Sequence, residues 1–262
     1  MSIAKPYRRT CRQLIDGSYA NNGNGEYVSH PKFAQVPASL FRAFLVLQKD
    51  FITLLDYIEP ADGNLCTYSY RVHELLMRTC VEVEAQCRTI FADNGYGDTS
   101  KCTMTDYRKL EVSHRLSSYR AKLPLWSGDL AVRSPFEAWS KGGPLTWYQA
   151  YNRTKHNRHE NFEDANFGAL VDAMCGLIIL HSAQFRNEDF GRECYLVEGS
   201  GLDDGFDEAA GNYFLVGYPY DWPPGERYEF DWTQLRASPD PFQNFDYSTA
   251  DLPHPAAGGA RR

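Results

Sequence analysis

The amino-acid sequence predicts an all-α fold, in the form of a helical bundle with a loop-rich N-terminus and a C-terminal extension. Between residues 38 and 185, apolar residues recur at helical spacing over several long segments, which prolines and glycines separate. Before residue 38 the chain is rich in Asn, Gly and Pro, as loops are. After residue 185, short apolar runs between glycines and aromatic residues replace the helical pattern.

These patterns divide the chain into four parts. Residues 1–37 form a loop-rich lead-in, and residues 38–185 form the helical domain. Residues 186–246 form an acidic, aromatic extension that packs on the bundle, and residues 247–262 form a disordered tail. We therefore expect one helical domain with appendages.

Five helices are expected in the helical domain. The first follows Pro37 and ends at Pro60, since prolines mark helix boundaries. Thr105 is expected to cap the third helix. The middle of the fifth helix is apolar almost all round, which predicts that this helix is buried between the others. The predicted helices cover residues 38–59, 68–91, 106–119, 147–158 and 162–185.

The extension differs from the helical domain in pattern and in charge. Two apolar, aromatic runs at residues 214–218 and 227–232 flank a Pro-Pro-Gly turn, which favours a small β-hairpin. Residues 185–262 hold 15 Asp and Glu against 6 Arg, whereas residues 1–184 hold 19 against 21 Lys and Arg. Such an acidic region is typical of a solvated extension; the alternative is that it masks a basic surface by mimicking nucleic acid.

The composition favours a cytoplasmic protein with no membrane partner. The apolar run at residues 173–180 is too short to span a bilayer, and the first residues lack the apolar core of a signal peptide. Seven cysteines, an odd number with no Cys-x-x-Cys pair, favour reduced, structural thiols. No glycine-rich phosphate loop or dinucleotide-binding fingerprint occurs, so the sequence gives no support to nucleotide hydrolases or dehydrogenases.

The segment of residues 147–159 is the strongest candidate for a functional site. After an aromatic cluster it carries Arg153, Lys155 and Arg158, together with His156 and His159, in a protein whose net charge is -7. Arg and Lys supply fixed positive charge, His moves protons near neutral pH, and aromatic rings stack on bases. The segment therefore predicts a phosphate-bearing partner.

A second group of charged residues lies on the predicted second helix. Glu74, Arg78 and Glu82 are at successive i, i+4 spacings and can pair along one helix face. Such a row either supports a buried active site or forms a solvated line of ion pairs, and the second arrangement is the commoner one.

Residues 38–185 resemble the HEPN domains (higher eukaryotes and prokaryotes nucleotide-binding). The resemblance is carried by the long second helix with Glu74, Arg78 and Glu82, and by the Tyr-Asn-x-x-Lys-His-x-Arg motif at residues 151–158 ahead of the buried last helix. It implies an all-α bundle, often a homodimer. Many members are metal-independent ribonucleases of toxin–antitoxin, abortive-infection and other bacterial defence systems, and others are inactive binding modules. An antitoxin or another defence protein is therefore an expected partner.

The catalytic signature of the family is an Arg followed, after four to six residues, by a His. Arg153 with His159 fits this spacing, but so does Arg108 with His114, and chance alone predicts a comparable number of matches. A second alignment places Asn152 and His156 on the Asn-x-x-x-His part of the family motif. Tyr151 then stands where the family has its catalytic Arg.

The resemblance implies a role for each residue of the segment. A His would act as general base on the ribose 2′-hydroxyl or as acid on the leaving oxygen, and a cation would stabilise charge on the phosphate. The alternatives are a non-catalytic dimeric binding module and a buried network in which Tyr151, Asn152 and His156 only fix the helix angle. The candidate catalytic residues are His156, Asn152, Arg153 and His159, the phosphate-binding residues are Lys155 and Arg158, and the supporting residues are Tyr151, Glu74, Arg78 and Glu82.

Neither a metal nor another cofactor is expected. His156 and His159 lie at i, i+3 with Glu160 adjacent, an arrangement that can share a metal ion. No further ligand motif accompanies them, and the neighbouring Arg and Lys would repel a cation.

Overall fold

The structure is a computed structural model that describes residues 2–19, 23–190 and 205–250. It is mostly helical (51%), which confirms the helical class that the sequence predicts. The described residues also form a small antiparallel sheet of four strands. The helices are α1 (Pro37–Leu55), α2 (Tyr70–Asp93), α3 (Met104–Tyr107), α4 (Leu110–His114), α5 (Thr146–His156), α6 (Arg158–Asn161), α7 (Phe167–Phe185) and α8 (Trp232–Leu235).

The centre of the protein is α7, which packs against α1, α2 and α5. All of its residues except Gly168 and Asp172 are buried, as the all-round apolar pattern predicts. The helix is long and apolar enough to cross a membrane, but 89% of its most apolar window is buried inside the protein, as in a core helix. Asp172, its one acidic residue, lies 2.7 Å from the guanidinium of Arg133.

Side-chain caps set the starts of the two longest core helices. Ser69 accepts a hydrogen bond from the Val72 amide and so caps α2. Asn166 accepts one from the Ala169 amide and caps α7. The predicted start of the last helix at residue 162 is wrong, because a 3₁₀ turn, Phe162–Asp164, precedes this cap.

The predicted third helix is also wrong, because two short helices replace it. Thr103, and not Thr105, forms the cap, in a reciprocal capping box with Asp106. Arg115 has φ 51°, in the left-handed region, and this conformation ends α4. Its guanidinium reaches Asp221 at 2.6 Å, so a contact distant in sequence accompanies the break.

The sheet joins the helical domain to the extension. Its strands are β1 (Arg120–Lys122), β2 (Val132–Arg133), β3 (Asp207–Glu208) and β4 (Leu215–Gly217), in the order β2-β1-β4-β3. β3 and β4 form a hairpin, but the predicted pairing of residues 214–218 with 227–232 is wrong. Tyr228 instead forms bridges with Ile3 and Leu14, because the second run pairs with the N-terminal segment.

The N-terminal segment has little regular structure but contributes to the core. Arg9 is fully buried and lies between the Asp93 carboxylate, the Gln35 carbonyl and the Gln184 side chain. Arg12 is 2% exposed and donates to the Ser113 carbonyl at 2.8 Å. These cations are buried with the partners that a buried charge requires.

The predicted disordered tail begins with a packed residue. Tyr247 is 1% exposed, and its ring lies 4.7 Å from that of Phe91 and 4.8 Å from that of Phe245. Residue 247 therefore belongs to the packed part of the chain, while residues 251–262 lie outside the described residues. The six described cysteines are free, and Cys194 also lies outside the described residues.

Candidate nucleic-acid interface

One face of α5 is fixed to the protein by aromatic side chains. The Trp147 indole donates to the Pro135 carbonyl at 2.9 Å, and the Tyr148 hydroxyl donates to the Glu84 carboxylate of α2 at 2.8 Å. Tyr151 is 2% exposed. Because this face is buried, the cationic positions of α5 face solvent.

Tyr151 anchors α5. Its ring lies 5.2 Å from that of Tyr148, and its hydroxyl accepts a hydrogen bond from Lys155 Nζ at 3.1 Å. This bond raises the pKa of Lys155, and burial raises the pKa of Tyr151. Lys155 is thus the charged partner near neutral pH and presents a fixed positive charge next to α2.

The cationic segment is divided between two helices. α5 ends at His156, because Asn157 leaves the helical conformation with φ -145° and ψ 72°. The Asn157 side chain then donates to Glu160 at 2.6 Å across the single turn of α6. The predicted helix of residues 147–158 therefore ends two residues early, and Arg153 and His159 lie on different helices.

Both matches to the Arg–His spacing contain an engaged residue. Arg153 lies 2.5 Å from the Asp164 carboxylate in an ion pair. In the other match, Arg108 donates to the Gly142 carbonyl at 2.6 Å, and His114 is fully buried. His114 is therefore a core residue, and Arg153 has a local anionic partner that an incoming phosphate would have to displace.

The two histidines of the segment are open to solvent. His156 ends α5 and His159 lies in α6, and both are exposed. Asn152 is half-buried one turn before His156. Within the described part of the chain, neither imidazole forms a hydrogen bond or an ion pair, so both are available to a ligand.

Arg158 belongs to a cluster that we call the aromatic surface. Its guanidinium lies 5.6 Å from the centre of the Tyr70 ring, and that ring lies 4.8 Å from the ring of Phe162. Tyr70 is 68% exposed and Tyr68 is 49% exposed, so their faces are accessible to a planar ligand. The aromatic surface consists of Tyr68, Tyr70, His73, Arg158 and Phe162.

The electrostatics of the aromatic surface are cationic. Burial and the positive charge of Arg158 lower the pKa of His73, so this imidazole is neutral near pH 7. Its Nε2 atom is buried and has no hydrogen-bond partner in the described part of the chain. Arg158 thus supplies the positive charge, while the rings around it supply apolar area.

The charged row of α2 does not meet the cationic segment. Arg78 contacts Asp50 of α1 at 2.6 Å and Glu74 at 3.7 Å, and Glu74 also contacts Arg71. The predicted i, i+4 pair of Glu74 and Arg78 is therefore present, directed towards α1. These residues have no contact through which to support His156.

Glu82 stands apart from both groups. Burial raises the pKa of its carboxyl to about 7. Its Oε1 atom is buried, and no hydrogen bond reaches this atom from the described residues. Glu82 therefore does not complete the ion-pair row with Arg78 that its spacing predicts.

The sequence reasoning missed the aromatic half of the site. Tyr68 lies just before α2, Tyr70 is its first residue and Phe162 follows α6, and aromatic residues at such helix ends carry no periodic signal. A local signal in the sequence is the Tyr-x-Tyr pattern around the Ser69 cap.

The comparisons with known proteins identify no relative of this chain. A scan against models of known protein families, a search of curated proteins and a search of solved structures each find no match to this chain. Among residues 2–19, 23–190 and 205–250, no three His, Cys, Asp or Glu side chains are grouped so as to hold a metal ion.

Proposed function

We propose that this protein binds single-stranded RNA on the aromatic surface at the junction of α5, α6 and α2. The observation that carries the proposal is the Arg158 guanidinium over the ring of Tyr70, a residue that is 68% exposed. Single-stranded nucleic acids are held by aromatic rings that stack on bases and by cations that contact phosphates. Both kinds of group are adjacent here, with Lys155 on the preceding helix.

The partners that the HEPN resemblance implies complete the proposal. The chain is proposed to act in the cytoplasm of a bacterium, as a homodimer, in a stress or phage-defence system with an antitoxin or another defence protein. The resemblance supports these points through the Tyr151, Asn152, Lys155 and His156 motif. Fold analogy alone does not fix function, so the binding experiment comes first.

Replacing Arg158 by Ala is expected to weaken binding of RNA about tenfold, since a lost stacking or phosphate contact costs on the order of 1–3 kcal/mol. The measurement is fluorescence anisotropy of a labelled 12-nucleotide oligouridylate in EDTA. Arg236→Ala is the matched control, because Arg236 is an exposed arginine that follows α8, and α8 packs on the N-terminal segment through Trp232. Equal effects of the two substitutions would show non-specific attraction and contradict the proposed site.

The second candidate function is metal-independent endoribonuclease activity. The exposure of His156 and His159, with no hydrogen bond within the described residues, favours it. One imidazole would remove the proton of the ribose 2′-hydroxyl, and the other would protonate the leaving oxygen. Lys155 or Arg158 would stabilise the charge on the phosphate, because Arg153 is paired with Asp164.

The triple substitution Asn152→Ala, His156→Ala and His159→Ala is expected to reduce cleavage of labelled RNA in EDTA by a factor of about 100 or more, since each positioned acid or base contributes on that order. Binding of the 12-nucleotide RNA should persist, because the aromatic surface is intact, and circular dichroism checks the fold. Cleavage by the triple variant at the wild-type rate, or none by either protein, would remove the nuclease candidate and leave the binding proposal standing.

A further inference from the structure

The face of α2 that meets α5 continues the aromatic surface along the whole helix. Tyr70 and Arg88 are 18 residues apart, which is five helical turns, so they lie on the same face of α2. Glu84 lies on this face as well, since it accepts the hydrogen bond from Tyr148 of α5. Arg78 lies towards α1, where it contacts Asp50, and Glu74, one turn after Tyr70, pairs with Arg71 and Arg78.

Four cations follow this face, and we call them the cation track: Arg158, Lys155, Arg88 and Lys109. Lys155 lies on α5 two turns after Tyr148, whose hydroxyl donates to Glu84, and Glu84 also accepts from Arg88 at 3.0 Å. Lys109 donates to the Tyr96 hydroxyl, and the Tyr96 ring lies 4.7 Å from that of Phe91 near the end of α2. The track therefore runs from the start of α2 to its end.

Three members of the cation track each lie against an aromatic ring. Arg158 lies over Tyr70, and Lys155 lies at the hydroxyl of Tyr151. Lys109 Nζ donates to the Tyr96 hydroxyl at 2.9 Å.

The acidic residues beside the track are engaged locally. Glu84 binds the Tyr148 hydroxyl with one oxygen and Arg88 with the other, at 3.0 Å. Asp98 contacts Lys101 and Ser100, and Asp106 caps α3. The side chain of Arg88 is still 40% exposed, so its charge remains accessible.

We propose that one RNA strand lies along the cation track, from the aromatic surface to Lys109. This inference rests on the proposed RNA binding, and it adds the path and the minimum length of the bound strand. The 18 residues from Tyr70 to Arg88 span about 27 Å at the helical rise. At a stacked spacing of about 3.4 Å per nucleotide, that length holds about eight nucleotides. The ligand is therefore a single strand of at least that length.

The test measures how affinity depends on RNA length and on Lys109. Labelled oligouridylates of 4, 8 and 12 nucleotides are titrated with the full-length protein in EDTA at several salt concentrations. Affinity is expected to rise steeply from 4 to 8 nucleotides and to change little beyond that. Lys109→Gln should weaken binding of the 12-mer several-fold and reduce the slope of log K against log salt by about 0.7, the value for one contact to a single strand.

Two matched variants separate charge from folding. Lys109→Arg keeps the charge and should restore the wild-type affinity, whereas Lys49→Gln removes an exposed lysine of α1, off the track, and should change nothing. The track would be contradicted if binding of the 12-mer depended on Arg158 but not on Lys109. It would also be contradicted if the 4-mer and the 12-mer bound with equal affinity. Either result would leave the proposed RNA binding at the aromatic surface intact. Absence of RNA binding by the wild-type protein would overturn the proposed function and the track together.

Discussion

The two buried histidines are expected to destabilise the folded protein by about 3 kcal/mol each when the pH falls from 7 to 4, at about 1.36 kcal/mol per pKa unit. Burial lowers the pKa of His114 and of His181 to about 4, from an ordinary value of 6.5. Between these two values the unfolded chain binds more protons than the folded protein. Their contribution to stability is therefore intact above pH 6.5 and is lost as the pH falls towards 4.

The surroundings of His181 explain why it stays neutral. Its Nε2 donates to the Glu188 carbonyl at 2.9 Å, and its ring stacks on Phe41 with centroids 4.7 Å apart. Protonation would place a charge among aromatic rings with no anionic partner in contact among the described residues. His114 is held in the same way, because its Nε2 donates to the Arg9 carbonyl at 2.8 Å.

Urea unfolding between pH 7 and pH 4 measures this effect. His181→Gln keeps a donor for the Glu188 carbonyl but does not titrate, so its curve of unfolding free energy against pH should be flatter than that of the wild type. His159→Gln is the control, because His159 is exposed, and its curve should follow the wild type. If the unfolding free energy of His181→Gln fell with pH as steeply as that of the wild type, His181 would not be a source of the pH dependence.

Replacing Arg9 by Met is expected to lower the free energy of unfolding by about 3–5 kcal/mol, the cost of leaving a buried charge unpaired. Arg9 is fully buried, and the side chain of its partner Asp93 is 5% exposed. The guanidinium also bonds to Gln184 and to the Gln35 carbonyl, so the substitution leaves several polar groups without a partner.

The adjacent arginine provides the control for Arg9. Arg8 pairs with Asp240, whose side chain is 54% exposed, and such surface pairs contribute about 1 kcal/mol or less. Urea unfolding at pH 7 should therefore show a loss for Arg8→Met that is several-fold smaller than for Arg9→Met. Equal losses for the two variants would contradict the buried role of Arg9.

The long helices could be predicted because their apolar patterns are local. α1 and α2 bury residues at helical spacing, and α7 is apolar almost all round, so both patterns are visible in the sequence without knowledge of the partner helix. The ends of α3 and α4 could not be predicted, since Arg115 adopts φ 51° in a place where it reaches Asp221. Composition alone does not indicate a bulky residue in that conformation.

The sheet and the buried cations depend on partners far away in the sequence. Ala121 pairs with Val216, and strands of two or three residues are too short for an alternating pattern. Arg9 and Arg12 resemble loop residues in the sequence, and only the fold brings Asp93 to the first of them. Burial of a charge is decided by such partners and not by residue type.

The cations of the candidate site could be predicted from the sequence, but its aromatic residues could not. Arg153, Lys155 and Arg158 lie within six residues, so their concentration is visible in the sequence. Tyr70 is more than 80 positions earlier and meets Arg158 only because α2 packs beside α5 and α6. The chain order likewise hides the contact between α5 and α2, in which Tyr148 donates to Glu84.

The most direct test of RNA binding at the aromatic surface is a titration of the labelled 12-nucleotide RNA with two double variants. Tyr70→Ala/Arg158→Ala removes the ring and the cation of the site, while Tyr220→Ala/Arg236→Ala removes an exposed ring and an exposed cation of the C-terminal extension. We predict a loss of affinity of about 30-fold or more for the first variant, from stacking and charge together, and less than about twofold for the second. Equal affinities of the two variants for the RNA would contradict RNA binding at the aromatic surface.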